Sequence, residues 1–254
     1  MKPRLFLLSR PQFDIQAFLS FITEEGTNWH RSPNAKPGEE LVEVAGRVCY
    51  MSFGKKQSPR SNCEYILNLI ASGHESVLEH VNWTFLLAGI SRAFTHQLVR
   101  HRVGLAFSQL SQQYHEETDA VFVEPEHLKG SPQAMKTWRE AISTVQQAYK
   151  TVLDSLMRET ASSIGGLDKK EFKRAMYSAA RSILPNATET KIVMTANARA
   201  LRHIFAVRGT IPGDIEMRQV MAGLFRLVQA EAPALFSDFR LETLPDGIPI
   251  LRRD

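Results

Sequence analysis

Residues 82–114 read N-W-T-F-L-L-A-G-I-S-R-A-F-T-H-Q-L-V-R-H-R-V-G-L-A-F-S-Q-L-S-Q-Q-Y, and a change of period inside this stretch sets the fold class. Trp83, Phe85 and Leu87 alternate with Asn82, Thr84 and Leu86, the two-residue period of a strand with one buried face. Ser91 then offers a hydroxyl that can cap a helix, and a helix is expected from there to about Arg102. The stretch from Val103 to Tyr114 reads as a polar loop, dense in neutral donors and acceptors.

The same logic extends outward. Met1 to Arg10 has a short apolar run with no small-residue cleavage site after it, so it reads as a first strand and not as a signal peptide. Asp14 can cap a helix whose Ile15, Phe18, Leu19 and Ile22 fall at i, i+3, i+4 and i+7. Gly26 to Pro37 reads as a loop, and a second helix is expected from about Pro59 to Ser72 with Gly73 as its stop. Ser131-Pro132 opens a long helix in which Met135, Trp138, Ile142, Val145, Tyr149, Val152 and Leu156 recur in steps of three and four. That stripe is a packing face; a partner on it would be another subunit. Asp168 with Glu171 opens a further helix. Asn186 to Thr190 reads as a loop, followed by helices from about Lys191 to Arg208 and from Ile215 to Ala232, which Gly209 and Pro233 end. Strands are few and separated by helices, and no linker interrupts the 254 residues, so a single α/β domain over 1–254 is expected.

Composition narrows the function. Hydrophobic residues make up 43% and charged residues 23%, which excludes a disordered or low-complexity chain. Two cysteines, Cys49 and Cys63, exclude a disulfide framework and point to a reducing, cytoplasmic setting. No apolar run is long enough to span a membrane. The net charge of +4 is too small for a nucleic-acid coat but suits an anionic small substrate if the positive charge is concentrated.

It is concentrated. Four of the eight histidines lie between His74 and His101. With His74 and His80 six apart, no H-E-x-x-H and no C-x-x-C, no metal site is expected. Arg92, His96 and Arg100 stand at i, i+4 and i+8, with His101 and Arg102 adding cations at the same end. Each such like-charge pair costs roughly 0.2–0.5 kcal/mol in an isolated helix, and a bound anion offsets it. Arginine suits phosphate because its planar fork donates two parallel hydrogen bonds. A third cluster, N-A-R-A-L-R-H-I-F-A-V-R-G, puts Arg199 and His203 one turn apart, and Asn197 and Arg208 about three turns apart, on a helix. Neither G-x-G-x-x-G after a strand nor a G-x-x-x-x-G-K-[ST] phosphate loop is present.

Taken together, R-H-R at Arg100 to Arg102, the following S-Q-L-S-Q-x-Y, the upstream G-H-x-S-V-L-E-H and G-I-S-R-A-x-x-H-Q-L-V, and the downstream L-P-N-A-T-x-T and N-A-R-x-L-R-H-x-x-x-x-R resemble the signature of flavin-dependent thymidylate synthases. The likeness runs from about Gly46 to Arg218. It implies a central antiparallel sheet flanked by long helices, and a homotetramer with sites at subunit interfaces. It implies FAD as cofactor, with NADPH and methylenetetrahydrofolate as co-substrates, in the conversion of dUMP to dTMP. His74, Ser76, Arg100, His101, Arg102, Gln109, Asn197, Arg199 and His203 match positions around FAD. Gln97, Arg100, Gln109, Leu110, Ser111, Gln112, Gln113 and Arg181 match the nucleotide pocket, where Ser111 is a binding residue because nothing supplies it with a base. Arg208 matches the arginine that activates the uracil ring and is the catalytic candidate.

Three departures stand out. Eight residues, Val103 to Leu110, separate R-H-R from the serine, where the family motif has seven; Gln113 replaces a usual arginine; and Pro212 stands where a histidine is common. The first two fall on the nucleotide pocket and leave dUMP and another uridylate, such as UMP, both open. A basic RNA-binding module is the alternative from a different class, and the small net charge and absent R-G-F-x-F and C₂H₂ signatures argue against it.

Overall fold

A computed structural model describes residues 2–159 and 168–254. The chain runs β1 (Arg4–Ser9), α1 (Ile15–Glu24), α2 (Pro37–Val48), α3 (Asn62–Ala71), β2 (Asn82–Ser91), α4 (Arg92–Leu98), β3 (Leu105–Gln109), α5 (Pro132–Glu159), α6 (Lys169–Ala180), β4 (Glu189–Asn197), α7 (Ala198–Arg208), α8 (Ile215–Glu231), β5 (Phe239–Thr243) and β6 (Pro249–Arg253). Four strands form a sheet in the order β1-β2-β4-β3. Thr84 meets Thr195 through their hydroxyls at 2.9 Å, and the Gly89 N–H donates to the Glu189 carboxylate, so numbers rise on β2 as they fall on β4. The Leu110 N–H donates to the Lys191 carbonyl and the Asn197 N–H to the Gly104 carbonyl, which gives β3 and β4 the same antiparallel sense. The expected mixed fold with an antiparallel sheet and helices is what forms.

The strand at Asn82 and the Ser91 cap hold: Trp83, Phe85 and Leu87 are fully buried, and the Ser91 hydroxyl accepts the Phe94 N–H at 3.0 Å. The helix that follows is shorter than expected. It stops at Leu98 with Val99 as its cap, so Arg100, His101 and Arg102 lie in the turn toward β3. The polar loop expected after Arg102 contains β3, entered through Gly104 at φ +71°.

The largest correction concerns residues 191–197, expected as the start of a helix. They are strand: Ile192, Met194 and Ala196 are buried while Lys191 is exposed, an alternation with period two. The expected loop at Asn186 to Thr190 therefore ends at Glu189, where β4 begins. The helix starts only at Ala198, with the Asn197 side chain accepting the Ala200 N–H at 2.8 Å, and it ends on Gly209 as expected. The helix expected from Pro59 starts at Asn62, because Ser61 and Glu64 form a reciprocal cap. Sequence reading passed over α2, whose Pro37 occupies its first turn and whose Glu39 carboxylate accepts the Lys36 N–H, and the antiparallel β5–β6 hairpin. The helices beginning at Asp14, Pro132, Asp168 and Ile215 form where expected.

Contacts divide the chain into two compact units. One holds the N-terminus to Arg4, Leu87–Arg100 and Phe107–Val193. Its satellite core packs Tyr149 and Leu153 of α5 against Met176, Tyr177 and Ala180 of α6. Of the apolar stripe on α5, Tyr149 is buried; Met135, Trp138, Ile142, Val145 and Leu156 are only partly covered, and Val152 is exposed. The other unit holds Leu5–Leu86, His101–Ala106 and Met194–Asp254. There Phe205, Phe225, Phe236 and Phe239 form an aromatic core, and buried charges are paired: Arg47 with Glu43 at 2.7 Å, Arg202 with Asp238 at 2.6 Å and Arg218 with Asp246. Among the described residues no helix is long and apolar enough to cross a membrane.

Candidate active site

In the first unit, α4 is pinned at its start by Arg92 N–H to the Thr188 carbonyl and Ala93 N–H to the Asn186 carbonyl, both 2.9 Å. This fixes where the Arg92 and His96 side chains leave successive turns. Arg181 follows α6 as its C-cap. A cleft of about 420 Å³ results, lined by Arg92, His96, Gln112, Ser178, Arg181 and Asn186, among others. Burial holds the Arg92 guanidinium below its ordinary pKa, Arg181 pushes it the same way, and Glu117 opposes them. Two guanidiniums set against each other in a partly dry cleft are stabilised by a bound anion, and amide and hydroxyl groups beside them suit a sugar phosphate.

The expected nucleotide residues divide. Gln112 and Arg181 line this cleft. Gln109 donates instead to the hydroxyls of Thr95 and Thr190, at 3.0 and 3.3 Å. Gln113 donates to Ser178 and accepts from Arg174 on α6. The Leu110 N–H is taken by the sheet, the Ser111 hydroxyl accepts the Gln113 N–H, Gln97 is half-buried on α4, and Arg100 is exposed in the turn after it. Arg92 was legible on the Arg92–His96 face and Asn186 in the L-P-N-A-T-x-T motif, but neither was placed in the nucleotide set; Ser178 gave no sequence signal.

In the second unit His101, His203 and Arg208 come together. Arg208 Nε donates to His101 Nε2 at 3.1 Å, and the two imidazole rings meet edge to face with centroids 5.7 Å apart. Burial, then Arg208 and then His203, lower the His101 pKa, so the ring is neutral at pH 7 and carries its proton on Nδ1. One turn from His203, Arg199 pairs with Glu79 at 2.6 Å and Glu75 at 3.6 Å. His74, Ser76, Arg102 and His203 are exposed. Asn197 is buried as the α7 cap, and a Cβ on Gly104 would stand 2.5 Å from its Nδ2. The helical face expected to hold both Asn197 and Arg208 is thus a cap at one end and a last-turn side chain at the other.

The fold is a mixed α/β one, and both clusters bring guanidinium and imidazole groups together. Residues 34–234 match the family described as thymidylate synthase complementing protein. The chain is 38% identical over 240 residues to the flavin-dependent thymidylate synthase of Corynebacterium aurimucosum, covering 93% of this chain and 94% of that one. It is 41% identical over 222 residues to that of Mycolicibacterium gilvum, covering 86% of each, and 40% identical over 232 residues to that of Mycobacteroides abscessus, covering 91% of this chain and 90% of that one. The chain belongs to the flavin-dependent thymidylate synthase family, and it is an enzyme.

Proposed function

We propose that this enzyme methylates uracil C5 of dUMP to give dTMP, with methylenetetrahydrofolate as one-carbon donor and NADPH as reductant. The observation that carries the reading is the cleft of Arg92, His96, Gln112 and Arg181, whose charge and donors suit a nucleotide monophosphate. Gln97, Arg100, Gln109, Leu110, Ser111 and Gln113 complete the substrate set. His74, Ser76, Arg100, His101, Arg102, Gln109, Asn197, Arg199 and His203 hold FAD; the exposed imidazoles, guanidiniums and hydroxyl among them fit its diphosphate. FAD, when bound, supplies the reducing equivalents.

Arg208 is the catalytic residue in this proposal. Uracil C5 becomes nucleophilic as negative charge builds on the ring carbonyls and N3, and a fixed guanidinium stabilises that charge. Neutral His101 takes the Arg208 Nε hydrogen and so fixes the guanidinium plane. The enzyme works in the cytoplasm as a homotetramer whose subunits share active sites.

The test offers dUMP and UMP side by side with methylenetetrahydrofolate, FAD and NADPH. Methylation of dUMP in preference to UMP supports the proposal. Preference for UMP supports the second reading, the same chemistry on another uridylate, which the extra residue in Val103–Leu110 and Gln113 favour.

A further inference from the structure

Two buried threonine hydroxyls converge on one side-chain amide. Thr95 on α4 and Thr190 on β4 are both fully buried. Gln109, at the end of β3, brings its Nε2 to 3.0 Å from the Thr95 Oγ1 and 3.3 Å from the Thr190 Oγ1. A buried hydroxyl is costly unless it is hydrogen-bonded, and valine would fill the same space without that demand. Packing therefore does not account for two hydroxyls at this point; the amide between them does.

The network fixes which end of the carboxamide faces inward. Thr95 Oγ1 gives its one hydrogen to the Arg92 carbonyl, 3.1 Å away. Its oxygen is then left to accept, so the atom turned toward it is the amide nitrogen and not the amide oxygen. A primary amide carries two N–H bonds, and here one goes to each threonine. The carbonyl oxygen stands on the other branch of the amide and is the group that Gln109 can offer a ligand. The elements that hold it are those of the cleft: Thr95 lies between Arg92 and His96 on α4, both of which line it, as does Gln112 three residues beyond Gln109. Resting on the assignment of Gln109 to the nucleotide, we propose that Thr95 and Thr190 are positioning residues for substrate: they hold the Gln109 amide so that its carbonyl oxygen accepts a hydrogen bond from the bound nucleotide. An acceptor repels a phosphate, so its partner is a donor of the nucleoside, the uracil N3–H or the sugar 3′-hydroxyl. The threonines act through the glutamine alone.

The test is steady-state kinetics on dUMP with the flavin-loaded enzyme. Thr95→Val/Thr190→Val keeps the shape and removes both hydroxyls, so the amide is free to turn over. KM for dUMP then rises about tenfold, with FAD content and circular dichroism unchanged. Thr95→Ser/Thr190→Ser, which keeps both hydroxyls, returns KM most of the way to that of the parent. Adding the two valines to Gln109→Ala raises KM no further, because they act through the amide. N3-methyl-dUMP and 3′-deoxy-dUMP, used as competitive inhibitors, identify the donor: the analogue that lacks it binds the parent and the valine variant alike. Provided that Gln109→Ala raises KM, the inference is overturned by an unchanged KM or a loss of FAD in the valine variant, by additive losses on the Gln109→Ala background, or by weaker binding of both analogues to the valine variant. An unchanged KM in Gln109→Ala overturns the assignment of Gln109 to the nucleotide itself.

Discussion

Arg208 ends α7 one residue before Gly209, where the helix dipole alone favours a cation. The His101 contact adds more, because a capping charge needs no fixed plane. If the guanidinium serves uracil, Arg208→Ala lowers methylation at saturating nucleotide by roughly 10²–10³-fold, the loss typical of one oxyanion donor. Arg208→Lys does not fully rescue it, since an ammonium lacks the planar fork. Flavin reduction by NADPH survives in both, so following the two half-reactions in one sample separates ring activation from cofactor loss. Near-normal turnover in Arg208→Ala leaves only the helix-end role. The neutral state of His101 is testable as well. Its pKa is lowered, so below pH 6.5 the unfolded chain takes up the proton first, and the histidine costs stability as pH falls toward the folded value. Histidine NMR titration shows a midpoint below 6.5 for the resonance lost in His101→Gln; a midpoint at or above 6.5 contradicts the assignment. Glu117 works in the opposite direction: burial raises its pKa, so its contribution to stability is lost as pH rises through the folded value. Glu117→Gln therefore melts higher than the parent at pH 7, and the gain shrinks toward pH 4.

At the scale of elements, the entry to β3 and the cap of α7 are one device. Gly104 sits at φ +71°, and a Cβ there meets the Asn197 amide that caps α7. Gly104→Ala destabilises the fold by more than about 1 kcal/mol, from left-handed backbone strain and displacement of the cap. Urea unfolding measures this, and Gly247→Ala, at φ +76° with open space around it, is the control for backbone strain alone. This device also shows where sequence reading runs out. Asn197 was visible as a polar residue in a site motif, but its cap role depends on where β4 stops. Lys191–Asn197 has three β-branched residues, Ile192, Val193 and Thr195, directly ahead of a helical pattern, and a seven-residue window cannot separate the two periods. Trp83, Phe85 and Leu87 were legible because one face of β2 is buried there. β3 was not, because its partner β4 lies some eighty residues on in sequence and its own side chains are mostly polar or small. Arg92 shows the same limit in the site: its spacing from His96 was readable, but its approach to Arg181 of a distant helix was not.

At the scale of the molecule, the charges and the apolar surface make separate demands. Arg47, Arg202 and Arg218 are buried and paired within the second unit, so they are structural, and the cations left at the surface or in clefts are the ones open to anions. The apolar remainder lies on α5. This helix runs 28 residues, and within the chain it buries only Tyr149 and Leu153 fully. Met135, Trp138, Ile142 and Val145 form a row along its N-terminal half that neighbours within the chain cover only in part. A tryptophan left half-covered in such a row is the kind of anchor that subunit interfaces use. If α5 helps to join the proposed homotetramer, Trp138→Glu places a charge in that contact, where an unpaired buried carboxylate costs several kcal/mol. Light scattering coupled to gel filtration then reports a smaller species, with helix content unchanged by circular dichroism. Because the proposed sites are shared between subunits, flavin retention and methylation fall together with the tetramer and recover as protein concentration is raised. A Trp138→Glu protein that remains tetrameric places the interface elsewhere, and the row on α5 is then a solvated face.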